Sequence, residues 1–255
     1  MNFIFDIDGT ICFGNNKIEN GIYAQLEKIE EAGHNLIFAT ARSYRDTLPV
    51  IKERFKDNTV VALNGGLVYR SSKSYLEKHI NKNSFEKLIA EINDKDLPYF
   101  IDDSFNYACY KEEKMAFIKT VDPLKMANKI DVNQMEKPIK LVVYTGDLSE
   151  SDFNEFYEEI NKIPELDVVY HEREGKVYIN SANVTKATTI VEILEGQDYI
   201  AYGNDKNDID MFKSATYAVQ VGNLKYLEDY NDEKVAESEV ANNIAKQIER
   251  LRSRV

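Results

Sequence analysis

Residues 3–10 read FIFDIDGT, so an apolar run passes directly into two carboxylates and a Gly-Thr turn. The apolar run predicts a short buried strand, with Asp6 and Asp8 at its end. Because side chains alternate along an extended chain, the two acids point to the same side. Neighbouring carboxylates repel each other, which favours a divalent cation between them, with one acid free to attack a substrate and the other to transfer protons. The alternative for this stretch alone is a strand that ends in a solvated, Asp-rich turn.

Two further apolar runs also end in polar residues. Residues 36–39 (LIFA) lead into Thr40, and residues 199–202 (YIAY) lead into the acidic loop GNDKND at 203–208. Between them, Lys186 lies at the start of a helical pattern over 185–194. Ligands of parallel α/β sheets bind outside the carboxyl ends of the strands. The sequence therefore predicts that these polar groups converge on one pocket.

Strand and helix patterns alternate in two separate parts of the chain. The first part has strands at 3–5, 36–40 and 59–63, a helix after Asn20 as its N-cap, and a helix running from Ser43 to Phe55. The second part has helices at 185–194, 208–213 and 240–251 and strands at 199–202 and 217–221. This alternation predicts an α/β fold with a doubly wound, Rossmann-like parallel sheet.

From about residue 80 the pattern changes. Two helical segments, short strands near 99–101, 105–110 and 139–144, and a hairpin over 168–180 predict a small antiparallel α+β domain. The predicted organisation is a core at 1–79, an inserted α+β domain at 80–182, and the rest of the core at 183–255.

The order of these motifs resembles the haloacid dehalogenase superfamily of phosphatases, and most closely its Cof-like branch. DIDGT comes first, followed by a strand ending in Thr40, an isolated Lys186 and then GNDKND. LNGG at 63–66 is similar to the Asn-Gly turn of that branch, and the resemblance covers the whole chain. It implies an inserted α+β cap between the Thr and Lys motifs that closes over the carboxyl end of the sheet. It also implies magnesium-dependent hydrolysis of small phosphorylated metabolites, sugar phosphates among them, through an aspartyl-phosphate.

The resemblance implies a role for each matching residue. Asp6 would be the nucleophile, and Asp8 the general acid and base. The other implied catalytic residues are Thr40 and Lys186; the implied substrate-binding residues are Thr40, Ala41, Arg42, Lys186 and Asn207; and the implied Mg²⁺ site comprises Asp6, Asp8, Asn204 and Asp208. Arg42 has three possible roles: it contacts phosphate, tethers the cap, or pairs with a structural acid.

The chain departs from the family pattern at two positions. The usual Thr-Gly-Arg is Thr40-Ala41-Arg42 here, so a methyl group replaces a glycine near the expected phosphate. The usual Gly-Asp of the last motif is Gly203-Asn204, followed by Asp205. Asn204 leaves the metal site one formal charge weaker. It is the favoured loop ligand because it matches the family's acid, and Asp205 is the alternative.

Composition narrows the class of protein. The chain has 255 residues, 43% of them hydrophobic, and a net charge of −12. That acidity argues against nucleic-acid and anionic-membrane partners. No apolar run approaches the roughly 20 residues that span a bilayer, and two distant cysteines fit a reduced cytoplasmic compartment.

The sequence does not predict an oligomeric state. It leaves two alternatives to a phosphatase, a phosphomutase of the same superfamily and a noncatalytic phosphate-binding regulator.

Overall fold

The computed structural model describes residues 1–14 and 17–253, which fold as two compact units. The first unit comprises Met1–Arg42, Thr47–Tyr75 and Thr185–Val255, and the second comprises Ser43–Asp46 and Leu76–Val184. The second unit is thus inserted within the sequence of the first. Residues 15, 16, 254 and 255 of the predicted core segments lie outside the described residues.

Fifteen strands and seven α-helices are assigned within the described residues. In chain order they are β1 (Asn2–Phe5), β2 (Cys12–Phe13), β3 (Lys17–Ile18), α1 (Asn20–Glu31), β4 (Asn35–Ala39), α2 (Tyr44–Ile51), β5 (Thr59–Ala62), β6 (Leu67–Arg70), β7 (Lys73–Glu77), α3 (Lys82–Asp94), β8 (Tyr99–Asp102), β9 (Tyr107–Tyr110), β10 (Lys140–Tyr144), α4 (Glu150–Asn161), β11 (Leu166–His171), β12 (Lys176–Ser181), α5 (Lys186–Leu194), β13 (Tyr199–Gly203), α6 (Ile209–Ser214), β14 (Tyr217–Val221), β15 (Glu233–Val235) and α7 (Val240–Arg252). No helix in the described part of the chain has both the length and the apolar character needed to cross a membrane.

The central sheet of the first unit has the strand order β15-β14-β13-β1-β4-β5-β6-β7. Neighbours from β15 to β5 run parallel, and β6 pairs antiparallel with β5. Strands β1 and β13 are buried along their whole length, as expected for parallel strands covered by helices on both faces. The predicted α/β Rossmann-like core is confirmed, and the sheet is mixed rather than wholly parallel because of β6.

Two local predictions for the first unit are wrong. Asn20 is the first residue of α1, and Glu19 occupies the N-cap position without a side-chain hydrogen bond. Helix α2 ends at Ile51 instead of continuing to Phe55, because Lys52 adopts a positive φ of 61°. A 3-10 turn over Glu53–Phe55 follows and still buries the Phe55 ring.

The second unit has a five-stranded antiparallel sheet in the order β11-β12-β10-β8-β9. Its apolar core joins alternate residues of this sheet, such as Leu141 and Ile179, to residues of helices α3 and α4, such as Leu88 and Phe156. This arrangement is the predicted inserted α+β fold. Several 3-10 turns between Glu112 and Gln134 complete the unit.

Candidate active site

Three neighbouring parallel strands carry the candidate site at their carboxyl ends. Strand β1 lies between β13 and β4, with Phe5 in register with both Tyr202 and Phe38. The residues that follow these strands therefore come to one edge of the sheet. Asp6, Thr40 and Asn204, which are far apart in the sequence, meet there for this reason.

Asp6 is a buried carboxylate whose two oxygens have different partners. Oδ1 accepts a hydrogen bond from Lys186 Nζ at 2.6 Å, and Oδ2 accepts one from Thr10 Oγ1 at 2.9 Å. Burial raises the pKa of Asp6 to about 7, although the Lys186 charge opposes this shift. The sheet thus holds a fixed carboxylate, one oxygen of which faces a neutral hydroxyl.

Lys186 is a fully buried ammonium shared by two acids. Its Nζ donates to Asp6 Oδ1 and, at 2.9 Å, to Asp208 Oδ1. Burial alone would lower the Lys186 pKa, but the two carboxylates outweigh it and raise that pKa. Lys186 therefore stays positively charged beside Asp6.

The Asn64-Gly65 turn fixes the start of helix α5 and hence the position of Lys186, the first residue of that helix. Gly65 has φ +101°, and a Cβ there would lie 2.2 Å from the Thr185 carbonyl oxygen. Thr189 Oγ1 donates to the Gly65 carbonyl at 2.8 Å. Only glycine allows this close approach of the two backbones, so the turn is a structural part of the site.

Asp8 differs from Asp6 in being accessible. Its side chain is 53% exposed, and Arg42 holds both of its oxygens: Nε donates to Oδ2 at 2.8 Å and Nη2 to Oδ1 at 2.6 Å. Of the three roles considered for Arg42, the structure shows pairing with an acid, and that acid is the predicted proton-transfer group. The Arg42 backbone N–H also donates to buried Thr40 Oγ1 at 3.1 Å. Half-buried Ala41 lies between them in this turn.

The loop after β13 is organised by Asp208, which is completely buried. Its Oδ2 accepts the backbone N–H groups of Asn204 at 2.9 Å and Asp205 at 3.1 Å, while its Oδ1 accepts from Lys186. A Cβ at Gly203 would lie 2.7 Å from the Asp208 side chain, so glycine is needed before the loop. Asp208 thus shapes the loop and orients Lys186, and its predicted place in the metal site stays a prediction.

The two candidate loop ligands have different surroundings. Asn204 lies against Asp6, Asp8 and Thr10: in the orientation that satisfies its neighbours, its Nδ2 donates to Asp6 Oδ2 at 3.1 Å, to the Asp8 carbonyl oxygen at 3.0 Å and to Thr10 Oγ1 at 3.2 Å. Asp205 instead accepts the Tyr226 hydroxyl at 2.6 Å. This geometry favours Asn204 over Asp205 as the ligand of a cation next to Asp6.

The donor atoms around Asn204 fit magnesium. No group of three His, Cys, Asp or Glu side chains among residues 1–14 and 17–253 could hold a metal ion. The convergent set instead combines the Asp6 carboxylate, the Asp8 backbone carbonyl and the Asn204 amide. Hard oxygen ligands of these kinds are the ones that Mg²⁺ prefers.

Three residues of the site had no role in the sequence analysis. Thr10 contacts Asp6 and Asn204, and its position directly after DIDG was the available signal. Asn64 Oδ1 accepts the amide of exposed Asn207 at 3.2 Å, so the Asn-Gly turn also contacts the acidic loop. Tyr226 comes from a distant segment, and no local pattern indicates its contact with Asp205.

The chain is similar in sequence to known phosphatases. A phosphoglycolate phosphatase of Nitrosopumilus maritimus is 26% identical over 229 residues, covering 87% of this chain and 83% of that protein. The 5-amino-6-(5-phospho-D-ribitylamino)uracil phosphatase of Bacillus subtilis is 18% identical over 248 residues, covering 95% and 92%.

Solved structures share the fold. A sugar phosphatase of subclass IIB of the haloacid dehalogenase superfamily superposes with a TM-score of 0.77, covering 96% of this chain and 98% of that one at 18% identity. The family model described as haloacid dehalogenase-like hydrolase matches residues 3–248, almost the whole chain. The predicted superfamily and the predicted enzyme class are thus confirmed: the chain belongs to the haloacid dehalogenase-like hydrolases.

Proposed function

We propose that the protein is a magnesium-dependent phosphatase of small phosphorylated metabolites in the cytoplasm, and that Asp6 is its nucleophile. The observation that carries this proposal is the pairing of two different acids at the end of β1. Asp6 is buried and held by Lys186 and Thr10, whereas Asp8 is exposed and held only at its charged end by Arg42. A fixed nucleophile beside an accessible proton carrier suits a two-step phosphoryl transfer.

In the first step, an Asp6 oxygen forms a bond to phosphorus while the bond from phosphorus to the ester oxygen breaks. Protonated Asp8 gives its proton to the departing alcohol, which leaves an aspartyl-phosphate on Asp6. In the second step, Asp8 takes a proton from water as that water attacks phosphorus, and orthophosphate leaves. Asp6 then regains its carboxylate and Asp8 its proton, so the cycle closes.

Arg42 links substrate binding to this proton transfer. While Arg42 binds both Asp8 oxygens, Asp8 cannot reach a leaving group. A phosphate group offers the guanidinium a similar bidentate partner with more charge. Binding of the substrate phosphate thus draws Arg42 away from Asp8 and frees the acid where the reaction takes place.

The remaining residues supply positive charge and hydrogen bonds. Lys186, the Thr40 hydroxyl and the Asn207 amide hold the transferring oxygens, where stabilisation of charge is the main catalytic contribution. A magnesium ion held by Asp6, the Asp8 carbonyl and Asn204 would supply further positive charge to the same oxygens. Asp208 keeps Lys186 in place.

The names of the relatives support the proposed substrate class. Two of them are named as phosphatases of small monoesters, one of phosphoglycolate and one of a phosphoribityl compound, and a structural neighbour is a sugar phosphatase. Sugar phosphates are therefore the first substrates to test. The inserted unit, predicted as residues 80–182, serves as the cap that selects the leaving group.

A phosphate-release screen over phosphorylated metabolites tests the proposal. With Mg²⁺, the wild type releases orthophosphate from at least one small monoester, and Asp6→Asn releases none above background. A phosphomutase would instead return the phosphoryl group to the substrate carbon skeleton, giving an isomeric monophosphate without stoichiometric orthophosphate. That product pattern, or the absence of turnover on every monoester, would overturn the proposal.

A further inference from the structure

Asn204 sits where three oxygen groups converge, and its amide has two ends of opposite hydrogen-bonding character. With Nδ2 inward, it donates to Asp6 Oδ2 and to the Asp8 carbonyl oxygen at 3.1 and 3.0 Å. With Oδ1 inward, the same two atoms face it, and both are acceptors. Thr10 Oγ1 lies 3.2 Å from the inward atom in either orientation: its hydroxyl accepts from Nδ2 while it donates to Asp6 Oδ2, or it shares its single hydrogen between Asp6 Oδ2 and Oδ1.

The Asn204 amide packs against the backbone of Gly9. Gly9 has φ +77°, and a Cβ there would lie 2.1 Å from the outer end of the amide and 3.5 Å from its inward end. Glycine at position 9 therefore leaves just enough room for the amide to lie across the Asp8 backbone. The side chain is held against these oxygens whichever way its amide group points.

Each orientation of the Asn204 amide suits a different state of the site, with or without a bound cation. Nδ2 inward bridges Asp6 Oδ2 and the Asp8 carbonyl with N–H groups, so both acceptors are paired without a cation. Oδ1 inward places three oxygens together, of Asn204, Asp6 and Asp8, with the single hydrogen of the Thr10 hydroxyl to share, an arrangement that a cation makes favourable. An aspartate at this position would have no N–H end to offer and would add a third negative charge beside Asp6 and Asp208.

We propose that Asn204 is a two-state ligand: its amide nitrogen closes the site when no cation is bound, and a turn of the amide presents Oδ1 to Mg²⁺. The inference rests on the proposed magnesium site. The consequence is that the amide stabilises the magnesium-free protein and lowers its affinity for magnesium. The amide makes the protein stable without magnesium, and it weakens magnesium binding because the hydrogen bonds of Nδ2 must first be broken.

The test compares wild type with Asn204→Asp in thermal unfolding and in calorimetric titration with MgCl₂, without substrate. In EDTA, Asn204→Asp should unfold at least about 2–4 °C below wild type, since a 1 kcal/mol loss has about that effect in a chain of this size. It should bind Mg²⁺ about tenfold more tightly than wild type, because ligand charge sets the affinity of such sites. Asn242→Asp makes the same charge change at an exposed residue in the first turn of α7, where an acid is favourable to the helix. This control should leave the magnesium affinity unchanged and should not lower the unfolding temperature.

A second measurement follows the wild type without Asn204→Asp, in case that variant does not fold in EDTA. The side-chain amide signals of ¹⁵N-labelled Asn204, assigned by their loss in Asn204→Ala, should be protected from solvent exchange in EDTA and lose that protection with Mg²⁺. Signals that do not respond to Mg²⁺, or equal magnesium affinity and EDTA stability of wild type and Asn204→Asp, would overturn the two-state ligand. Phosphate release by the wild type in the same preparation separates that failure from a failure of the proposed function.

Discussion

Each of the two units buries a cation against a carboxylate, and the surroundings of the two pairs differ. In the first unit, Lys186 lies between Asp6 and Asp208, next to the half-exposed Asp8. In the second unit, Arg45 donates to Asp102 Oδ1 at 2.6 Å. Arg45 and Asp102 are both almost fully buried, so the degree of burial does not distinguish the two pairs.

The partners of the cation do distinguish them. The second nitrogen of the Arg45 guanidinium donates to the Phe105 carbonyl at 2.8 Å, and the Tyr107 ring lies 5.2 Å from its carbon. Arg45 also has a second acid nearby, Asp46 at 3.5 Å, but that side chain is only 12% exposed. The first pair instead adjoins Asp8, whose carboxylate is 53% exposed. A buried ion pair is thus a candidate for catalysis only where a second, accessible acid accompanies it.

Neutralising Asp6 is the strongest test of the difference between the two buried ion pairs. We expect Asp6→Asn to lower phosphate release by at least about 10⁴-fold, because an amide of the same shape is a poor nucleophile. The fold should survive, since the amide keeps a hydrogen bond to Lys186 through its oxygen. Circular dichroism and the unfolding temperature check the fold. Turnover close to wild type in a folded variant would remove Asp6 from the mechanism.

Substitution of Asp8 should lower the rate of phosphate release less than substitution of Asp6, but still severely. Asp8→Asn removes general acid and base assistance, which is typically worth about 10² to 10⁴ in rate. It also releases Arg42 from its bidentate ion pair, so the variant should bind inorganic phosphate more tightly than wild type. Calorimetric titration with phosphate measures this second effect. Asp8→Asn with unchanged turnover and unchanged phosphate affinity would contradict both roles.

The sequence predicted much of the first unit because its strands are continuous apolar runs. It missed the hairpin of β6 and β7, although these strands extend the central sheet. Their two-residue turn is Ser71-Ser72, with φ of 51° and 59°. Such turns usually contain Asn-Gly or Asp-Gly, so the ordinary local signal was missing. The end of α2 was mispredicted for a similar reason, since nothing local forces a positive φ at Lys52.

Within the site, strand ends were predictable and side-chain pairings were not. Asp6, Thr40 and Asn204 follow apolar runs, and parallel pairing then brings them together. The contact of Arg42 with Asp8 joins residues 34 positions apart, and that of Tyr226 with Asp205 joins residues 21 apart. These pairings depend on the paths of loops, which hydrophobic periodicity does not encode.

The ion pair of the second unit should matter for stability rather than for chemistry. We expect Arg45→Met to lower the free energy of unfolding by about 3–5 kcal/mol, because it leaves Asp102 buried without its partner. Burial already raises the pKa of Asp102 despite the Arg45 charge. Urea unfolding measures the loss. Lys162→Met, which removes an exposed ion pair with Glu159, should cost at most about 1 kcal/mol.

The double variant Arg45→Met with Asp102→Leu sharpens this interpretation. Removing both charges leaves no unpaired ion in the core, since Asp46, 3.5 Å from Arg45, keeps its hydrogen bonds from Ser43 Oγ and the Asp122 backbone N–H. Most of the lost stability should therefore return. If the double variant is as unstable as Arg45→Met alone, packing around the guanidinium carries the stability and the charge pair does not.

The smallest expected effect concerns His34, outside both ion pairs. Its ring lies 5.6 Å from Phe3, and its Nε2 is buried with no hydrogen-bond partner among the described residues. Burial, helped by the positive charge of Arg252, lowers the pKa of His34 below its ordinary value of 6.5. The unfolded chain then binds a proton at His34 more readily than the folded chain does. The stability that neutral His34 contributes is therefore present above pH 6.5 and lost as the pH falls below that value.

Urea unfolding between pH 7.5 and 5 measures this loss. The free energy of unfolding should decline more steeply for wild type than for His34→Gln, and the control His171→Gln, at an exposed histidine, should follow wild type. Parallel declines for wild type and His34→Gln would mean that the acid sensitivity of the first unit arises from its carboxylates and not from this ring.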